Sequence, residues 1–382
     1  MEISRYPNGK DFAFTITEDP DYSKLEDRLI VYRLLSDLEF KTTVAVWVLD
    51  NEHGSGENAG LSNTRGLTTS NAEYLKHLKE LQEKGFEICL HTAGPGNDLR
   101  GETVKGYELF KQLFGHYPRM NINHATNLEN IYWGKDRFSN GLLKLLYGLK
   151  SQRFEGHVES SAYFWGDICR EKTKYVRAWA TDKINTLSIN RTMPYHLEDK
   201  PYVNWWFGCS DGYNCNKFNN LISDSNIKKL ISERGTCIAY THFSKGFLNK
   251  EKNIDAYFRK QIEKISHMDG WFVPASTILD RFLLLRNVDV SRSHNTIAII
   301  NKNSETLEKV TILTNKKKLF LFNKGEWRYS NNQGEIVLGD ILPHTTLVLG
   351  TASEEQPYES PKFFERVSMV VNWIFGRLSG KG

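Results

Sequence analysis

Short apolar runs alternate with segments of helical periodicity from residue 11 to about residue 286, and this alternation limits the fold more than any other feature. Phe12–Ile16 and Lys41–Leu49 are rich in the β-branched and aromatic residues typical of strands. Leu25–Leu38 and Asn71–Lys84 carry apolar residues at helical spacing, and Gly85 follows as a C-terminal cap. Strands that alternate with helices predict a parallel α/β domain.

The pattern changes after Arg286. Residues 289–351 contain short strand-like runs separated by polar turns, which predicts a small antiparallel β domain, a sandwich. We therefore divide the chain into residues 1–286 (α/β domain), 287–352 (β domain) and 353–382 (a linker and a C-terminal helix). One broad apolar face with few charges predicts that this helix packs on the α/β domain, docks a partner, or lies on a membrane surface.

Charge and cysteine usage exclude several classes of protein. The 50 basic and 46 acidic residues nearly cancel, so nothing in the charge favours a nucleic-acid partner. The five cysteines include no CxxC pair, and the first residues lack the apolar core of a signal peptide. No apolar run is long enough for a transmembrane helix. We expect reduced thiols and a cytoplasmic protein, with peripheral contact at the inner face of the membrane if the C-terminal helix binds lipid.

Polar clusters follow several of the predicted strands. Three carboxylates lie within the four residues 18–21, directly after the first strand. His91 precedes a Gly/Pro turn, His124 follows the strand near residues 119–123, and His242 ends an apolar strand. Active sites of α/β barrels lie at the C-terminal ends of the strands. The repeated placement predicts that these side chains share one pocket.

The order of these motifs resembles the polysaccharide deacetylase (NodB-homology, carbohydrate esterase 4) superfamily. An acidic pair ends the first strand in Ile16–Asp19, the run E-I-x-L-H-T follows in Glu87–Thr92, and a late strand ends in His242. The resemblance covers roughly residues 10–285 and implies a distorted (β/α) barrel of polysaccharide-deacetylase type. It also implies an enzyme that hydrolyses carbon–nitrogen bonds other than peptide bonds.

The resemblance assigns roles to the acidic cluster. In that family the first acid of the pair is the catalytic base and the second binds a metal ion, so Glu18 takes the position of the base and Asp19 that of a ligand. Asp21 is an additional carboxylate and a further candidate ligand. The late histidine of the family is the general acid, which is His242 here.

The histidine motif departs from the family pattern. His91 matches the first of two metal-binding histidines, but Pro95 occupies the place of the second. A site with two protein ligands holds zinc poorly. From the residues alone we hypothesise that His124 restores the missing ligand from a neighbouring strand end. A divalent metal, most simply zinc, is the expected cofactor.

The middle of the chain is rich in aromatic residues that can stack on sugar rings. Several of them must belong to the core, because a protein of this size cannot use all nine tryptophans as ligands. The candidate substrate-binding residues are Trp133, Arg137, Trp165, Asp167, Trp206 and Asp211.

Three functions remain open at this point. The first is a metal-assisted deacetylase acting on an N-acetylated sugar or polysaccharide intermediate. The second is a non-catalytic carbohydrate-binding or assembly protein on a degenerate deacetylase fold, which Pro95 favours. The third is a glycoside hydrolase, which needs two carboxylates about 5–10 Å apart across the substrate. The pairing of Glu18 with Asp167 or Asp211 is the one that the sequence offers.

Overall fold

Parallel strands close into a barrel in the N-terminal part of the chain. The structure is a computed structural model that describes residues 1–50, 66–124, 126–142, 145, 153–293 and 295–350. Around the barrel, β2 pairs with β3. The strands β4, β5, β6, β7 and β8 then follow in that order, and β8 pairs with β2 to close the ring. These strands are β2 (Phe12–Glu18), β3 (Thr43–Val46), β4 (Glu87–Leu90), β5 (Met120–Asn121), β6 (Tyr175–Thr181), β7 (Trp205–Asp211) and β8 (Thr236–Thr241).

The ring is distorted where β2 meets β3. β3 pairs only with Thr17 and Glu18, at the end of β2. A short strand, β9 (Gly270–Trp271), pairs with the beginning of β2 at Phe12 and Ala13. One strand therefore has two neighbours on the same side, which is the geometry of a distorted barrel. The predicted fold class is confirmed.

Helices cover the outside of the barrel. On β2, Phe12, Phe14 and Ile16 pack against the helical layer, while Ala13 lies in the barrel interior. This alternation follows from the two-residue period of a strand. The described helices are α1 (Leu25–Asp37), α2 (Ala72–Glu83), α3 (Arg100–Phe114), α4 (Gly166–Lys172), α5 (Cys215–Leu221), α6 (Asp224–Ser232), α7 (Ala256–Ser266) and α8 (Ala275–Arg286).

Sequence signals set the ends of α2. The side chain of Asn71 accepts a hydrogen bond from the backbone N–H of Tyr74 and caps the N-terminus of the helix. Gly85, with φ of 87°, follows the C-terminus in the left-handed conformation that glycine adopts without strain. The helix thus places His77, Leu78 and its other buried residues toward the barrel.

Two antiparallel sheets form the C-terminal part of the described chain. They share an apolar core that includes Ile299, Ile312 and Leu349. Five strands pair in the order β10-β11-β16-β13-β14, and three pair in the order β1-β12-β15. The strands are β1 (Glu2–Ile3), β10 (Val288–Ser293), β11 (Thr296–Asn301), β12 (Leu307–Leu313), β13 (Lys318–Leu321), β14 (Glu326–Tyr329), β15 (Glu335–Ile341) and β16 (Thr346–Gly350).

The first strand of the chain belongs to the second domain. Glu2 and Ile3 of β1 pair with Leu313 and Ile312 of β12, although Tyr6, only three residues later, lies in the barrel core. The proposed division at residue 286 falls between α8 and β10, and it assigns β1 to the other side. The predicted C-terminal helix, in residues 353–382, lies outside the described residues. Within the described ranges, no helix is both long enough and apolar enough to span a bilayer.

Candidate metal centre and its cavity

A cavity of about 410 Å³ opens at the C-terminal ends of the barrel strands. It contains candidate residues from four separate strand ends, as the sequence predicts for one pocket. Aromatic and basic side chains form most of the rest of its wall. The acidic residues and histidines in the cavity are Asp19, Asp21, His91, His124 and His242, and the other lining residues include Tyr22, Trp133, Arg137, Arg177, Trp179, Tyr213, Tyr240 and Lys245.

Asp21 lies at the centre of three histidines. The Nε2 atom of His124 is 2.8 Å from Asp21 Oδ1, and the Nε2 atoms of His91 and His242 are each 3.3 Å from Asp21 Oδ2. All four side chains are buried. Burial raises the pKa of Asp21, but interactions with the histidines, first of all the hydrogen bond from His124, outweigh it and hold that pKa well below its ordinary value.

Two of these histidines are oriented through their other ring nitrogen. Nδ1 of His124 is 2.7 Å from Asn127 Oδ1, and Nδ1 of His242 is 2.8 Å from the carbonyl oxygen of Tyr213. Because both acceptors are oxygens, each Nδ1 carries a proton and each Nε2 faces Asp21. Metal-binding histidines have this arrangement, in which the second nitrogen donates to a carbonyl or carboxylate.

The arrangement fits a divalent metal ion. The ligand atoms of Asp21, His91 and His124 lie within 4.8 Å of one another, and so do those of Asp19, Asp21 and His242. Neither ring nitrogen of the buried His91 makes a well-aligned hydrogen bond to a described residue, which is costly unless a ligand completes it. Imidazole nitrogens with carboxylate oxygens are the donor set of zinc and similar metals.

A hydrogen-bond network fixes the amide of Asn127. Its nitrogen donates to Glu129 Oε1 at 2.6 Å and to the carbonyl oxygen of Gly96 at 2.5 Å. A carbonyl oxygen can only accept, so the amide oxygen must point to His124. Burial, and then the charge of Asp98, raise the pKa of Glu129 well above its ordinary value. No motif in the sequence singles out this network.

Asp19 lies beside this cluster but has a cationic partner of its own. Arg177, on β6, donates from Nη1 to Asp19 Oδ1 at 2.9 Å and from Nη2 to Oδ2 at 2.6 Å. Burial opposes ionisation of Asp19, but the charge of Arg177 lowers its pKa below the ordinary value. The guanidinium also lies over the ring of Tyr240, 4.9 Å from its centre. Asp19 is therefore a buried, ionised carboxylate at the edge of the candidate metal centre.

The side chain of Glu18 does not line the cavity. Glu18 is on the same face of β2 as Phe14 and Ile16, so its side chain points outward to the helices. Its Oε2 lies 2.5 Å from Nη1 of Arg28, on α1. Burial raises its pKa to about 7, with Arg28 opposing the shift. The assignment of Glu18 as catalytic base is corrected accordingly, because its carboxylate is separated from the cavity by the strand that carries it.

The predicted substrate-binding residues divide into two groups. Trp133 and Arg137 line the cavity, and the Arg137 guanidinium stacks on the Trp133 ring at 4.3 Å. Trp206 lines an adjoining cavity. The other three do not line either one: Trp165 is a buried core residue whose Nε1 donates to the carbonyl oxygen of Glu129, Asp167 pairs with Arg100, and Asp211 pairs with Lys217.

These ion pairs also bear on the glycoside hydrolase alternative. Glu18, Asp167 and Asp211 each pair with a different basic residue, and none of the three is among the residues that line the cavity. The carboxylates that do line it, Asp19 and Asp21, are two residues apart on one loop. The sequence-based pairing of Glu18 with Asp167 or Asp211 is therefore not assembled around this cavity.

The sequence did not single out the residues that pack against the candidate metal ligands. Trp47 follows β3, is fully buried, and packs its ring 5.7 Å from that of His91 and 5.6 Å from that of His124. Two non-glycine residues with positive φ, Tyr22 and Thr92, directly follow Asp21 and His91. Such backbone strain is concentrated at functional sites, where the surrounding structure enforces it.

Comparisons with known proteins identify similar folds. No family model matches the chain, and no curated protein sequence matches it. Among solved structures, PuuE allantoinase is 10% identical, with a TM-score of 0.43 over 74% of this chain and 93% of that one. A mutant of peptidoglycan deacetylase PdaC from Bacillus subtilis is 12% identical, with a TM-score of 0.35 over 74% and 95%.

A third similar structure is the Bc1960 peptidoglycan N-acetylglucosamine deacetylase. It is 15% identical, with a TM-score of 0.32 over 72% of this chain and 90% of that one. Each of these matches thus spans nearly the whole of the solved chain but leaves part of the present chain uncovered. Five such solved structures, four deacetylases and one allantoinase, are similar to this chain in fold at 10–15% identity.

Proposed function

We propose that the protein is a metal-assisted amide hydrolase that deacetylates an N-acetylated sugar or polysaccharide intermediate. The observation that carries the proposal is the convergence of three histidine Nε2 atoms on Asp21, beside the Asp19–Arg177 pair. Hydrolysis of an unactivated amide needs a polarised carbonyl, a base for water and an acid for the departing amine. The cavity has candidates for each of these needs.

Asp21, His91 and His124 are the ligands that we assign to a divalent cation, with His242 within reach of the same carboxylate. His124 thus replaces the histidine that Pro95 displaces, as hypothesised from the sequence. Once bound, the cation would polarise the acetamide carbonyl and lower the pKa of a water molecule.

Asp19 takes the role of base that the sequence assigned to Glu18. Arg177 keeps its carboxylate ionised, so it can accept a proton from the attacking water. The water oxygen bonds to the acyl carbon, the carbon–nitrogen bond breaks, and acetate and an amine result. For this step His242 carries a proton on Nε2 as well as on Nδ1, and the Nε2 proton passes to the amine nitrogen as the bond to carbon breaks. The hydrogen bond from Nδ1 to the carbonyl oxygen of Tyr213 directs Nε2 into the cavity.

Aromatic walls support a sugar as the group that carries the amide. Trp133 and Trp179 line the cavity with the histidines. The faces of pyranose rings stack on such side chains, which bury apolar surface while leaving hydroxyl groups free for water or polar side chains.

The first test is the metal content of the full chain purified without a histidine tag. We expect near-stoichiometric zinc or another divalent metal in the wild type and in Asp211→Asn, a matched carboxylate change outside the cavity. Asp21→Asn and His91→Ala should lose the metal. Acetate release from N-acetylated chitooligosaccharides then tests the reaction.

A protein that stays metal-free after incubation with excess zinc, cobalt, nickel or manganese would overturn the hydrolase proposal. Sugar binding by that metal-free protein would instead support the alternative, a carbohydrate-binding protein on the same fold. Metal loading equal in wild type and both ligand variants would place the ion elsewhere and would also overturn the assignment.

A further inference from the structure

A second cavity, of about 400 Å³, adjoins the candidate metal centre. We propose that it binds an aromatic ring carried by the substrate next to its scissile amide. The proposal of an amide rests on the function proposed above, whereas the aromatic cavity exists independently of any metal. Trp179 and Arg137 line both cavities, so the two compartments meet at these side chains. The remaining apolar wall consists of Phe138, Ala178, Tyr195, Leu197 and Trp206.

A β-bulge places Trp179 between the two cavities. Arg177 of β6 pairs with Phe207 of β7, but Trp179 pairs with Gly208, so Ala178 is an extra residue in β6. Bulges next to active sites redirect the side chains that follow them. A Cβ atom on Gly208 would lie 2.3 Å from the indole of Trp179, so the ring needs glycine at this position. The shared wall is therefore built into the barrel.

Tyr195, on the opposite wall of the cavity, is hydrogen-bonded to β7. The backbone N–H of Tyr195 donates to the carbonyl oxygen of Trp206 at 2.9 Å, and the N–H of Trp206 donates back at 2.7 Å. Trp179 Nε1 donates to the hydroxyl of Tyr195 at 3.2 Å. These bonds fix the aromatic walls relative to each other, so the cavity is preformed and a ligand does not have to order it.

The chemistry of the wall favours an aromatic ring over a sugar ring. The eight described residues that line the cavity include no carboxylate and no amide side chain, two groups that can bind sugar hydroxyls. The ammonium of Lys200 is already bonded to Ser139 Oγ at 3.0 Å and to Asp199 Oδ2 at 2.9 Å. The buried indole N–H of Trp206 has no described hydrogen-bond partner. Arg137 donates to the carbonyl oxygens of Gly134 and Ala178, and the Tyr195 hydroxyl accepts from Trp179. A mainly aromatic wall with few donors fits an aromatic group that carries an acceptor, such as an aryl ether.

Calorimetry with three derivatives of N-acetylglucosamine tests the proposal. The probes are the methyl β-glycoside and the 2-naphthyl β-glycoside of N-acetylglucosamine, and N,N′-diacetylchitobiose. We expect the naphthyl glycoside to bind at least about tenfold more tightly than the methyl glycoside, because its ring buries apolar surface. Chitobiose should gain much less. The gain should appear in both the metal-loaded and the chelator-treated full chain.

A cavity-filling variant locates the gain. Leu197→Trp should remove the difference in affinity between the naphthyl and the methyl glycoside. Leu342→Trp, the same change at an exposed position of the β domain, should retain it. Competition tests the site without any variant: 2-methoxynaphthalene should displace the naphthyl glycoside but not the methyl glycoside.

The outcomes separate this inference from the proposed function. Equal affinities for the methyl and naphthyl glycosides, or a gain for chitobiose that matches the gain for the naphthyl glycoside, would overturn the aromatic cavity. Tight naphthyl binding to a protein that takes up no metal would support the cavity while overturning the hydrolase. Acetate release together with equal affinities for the naphthyl and methyl glycosides would support the hydrolase while overturning the aromatic cavity.

Discussion

Arg177 donates two parallel hydrogen bonds to Asp19 across 158 residues of sequence, at 2.9 and 2.6 Å, and both side chains are buried. The pair joins β6 to the loop after β2, on opposite sides of the barrel mouth. Buried ion pairs bring little net stability, but the loss of one partner leaves an uncompensated charge. Asp19, the candidate base, is therefore held in its ionised form by a residue of β6, which reaches it only when the barrel is closed.

Arg177→Met should destabilise the protein by about 3–5 kcal/mol at pH 7. Since Arg177 lowers the pKa of Asp19, the stability that the pair contributes is present above the unfolded value, about 4, and is lost as the pH falls. The deficit of the variant should therefore shrink in acid. Urea unfolding at several pH values measures it.

Arg100→Met is the matched control, because Arg100 makes the same two-bond contact with Asp167 on the surface. Its cost should be below about 1 kcal/mol. Equal losses in the two variants would contradict the role of burial.

The difference in unfolding free energy between Glu18→Gln and wild type should move in favour of the variant as the pH rises from about 4.5 to about 7. Burial raises the pKa of Glu18 to about 7 in the folded state, so the folded chain holds a proton that the unfolded chain releases near pH 4.5. Wild-type stability then falls between these values, by about 3 kcal/mol for a shift of this size. The glutamine variant lacks this loss, whereas Glu73→Gln, on the exposed face of α2, should show the same loss as wild type. A difference that stays flat from pH 4.5 to pH 7 would show that Arg28 outweighs burial.

Asn127→Leu should weaken metal binding by about 10–100-fold, because it removes the acceptor that orients His124. Competition with a chromogenic chelator gives the affinity, and circular dichroism checks that the variant is folded. Asn220→Leu, at an exposed position of α5, is the control and should bind metal like wild type. Unchanged affinity in Asn127→Leu would mean that His124 is not a ligand or needs no such support.

Cobalt or nickel should quench part of the intrinsic fluorescence, since Trp47 lies against two of the assigned ligands. Trp47→Phe should reduce the quenched fraction without abolishing metal uptake. This change also loses no hydrogen bond, because the Trp47 N–H has no described partner. Trp327→Phe, in the β domain, should leave the quenching unchanged. The idea fails if quenching is the same in all three proteins.

The alternation of strands and helices was enough to predict a parallel α/β domain and the placement of its histidines at strand ends, whereas closure of the sheet into a barrel was expected only from the family resemblance. His91, His124 and His242 each follow an apolar run, and parallel strands bring their C-terminal ends to one mouth. The two-residue period of β2 also indicates which way Glu18 points, and this indication conflicts with the role that the family resemblance gave to Glu18. Because Phe12, Phe14 and Ile16 face the helices, Glu18 must face them too.

Two barrel strands, β6 and β7, were not predicted. Strands that are buried on both faces lack alternation, so Tyr175–Thr181 and Trp205–Asp211 look like aromatic runs suited to ligands. The contact of Arg177 with Asp19 depends on how the barrel closes, and no local pattern reports it. The boundaries of the aromatic cavity likewise depend on a bulge at Ala178 that only the strand register reveals.

The pairing of β1 with β12 has a consequence for the order of synthesis. Glu2 leaves the ribosome long before Leu313, its partner in the sheet, has been made. Tyr6 can enter the barrel core before β12, the partner of Glu2 and Ile3, has been made. The residues of β1 are thus made before the barrel strands but can pair only after β12 has been made, and completion of the small domain then anchors the segment that leads into the barrel.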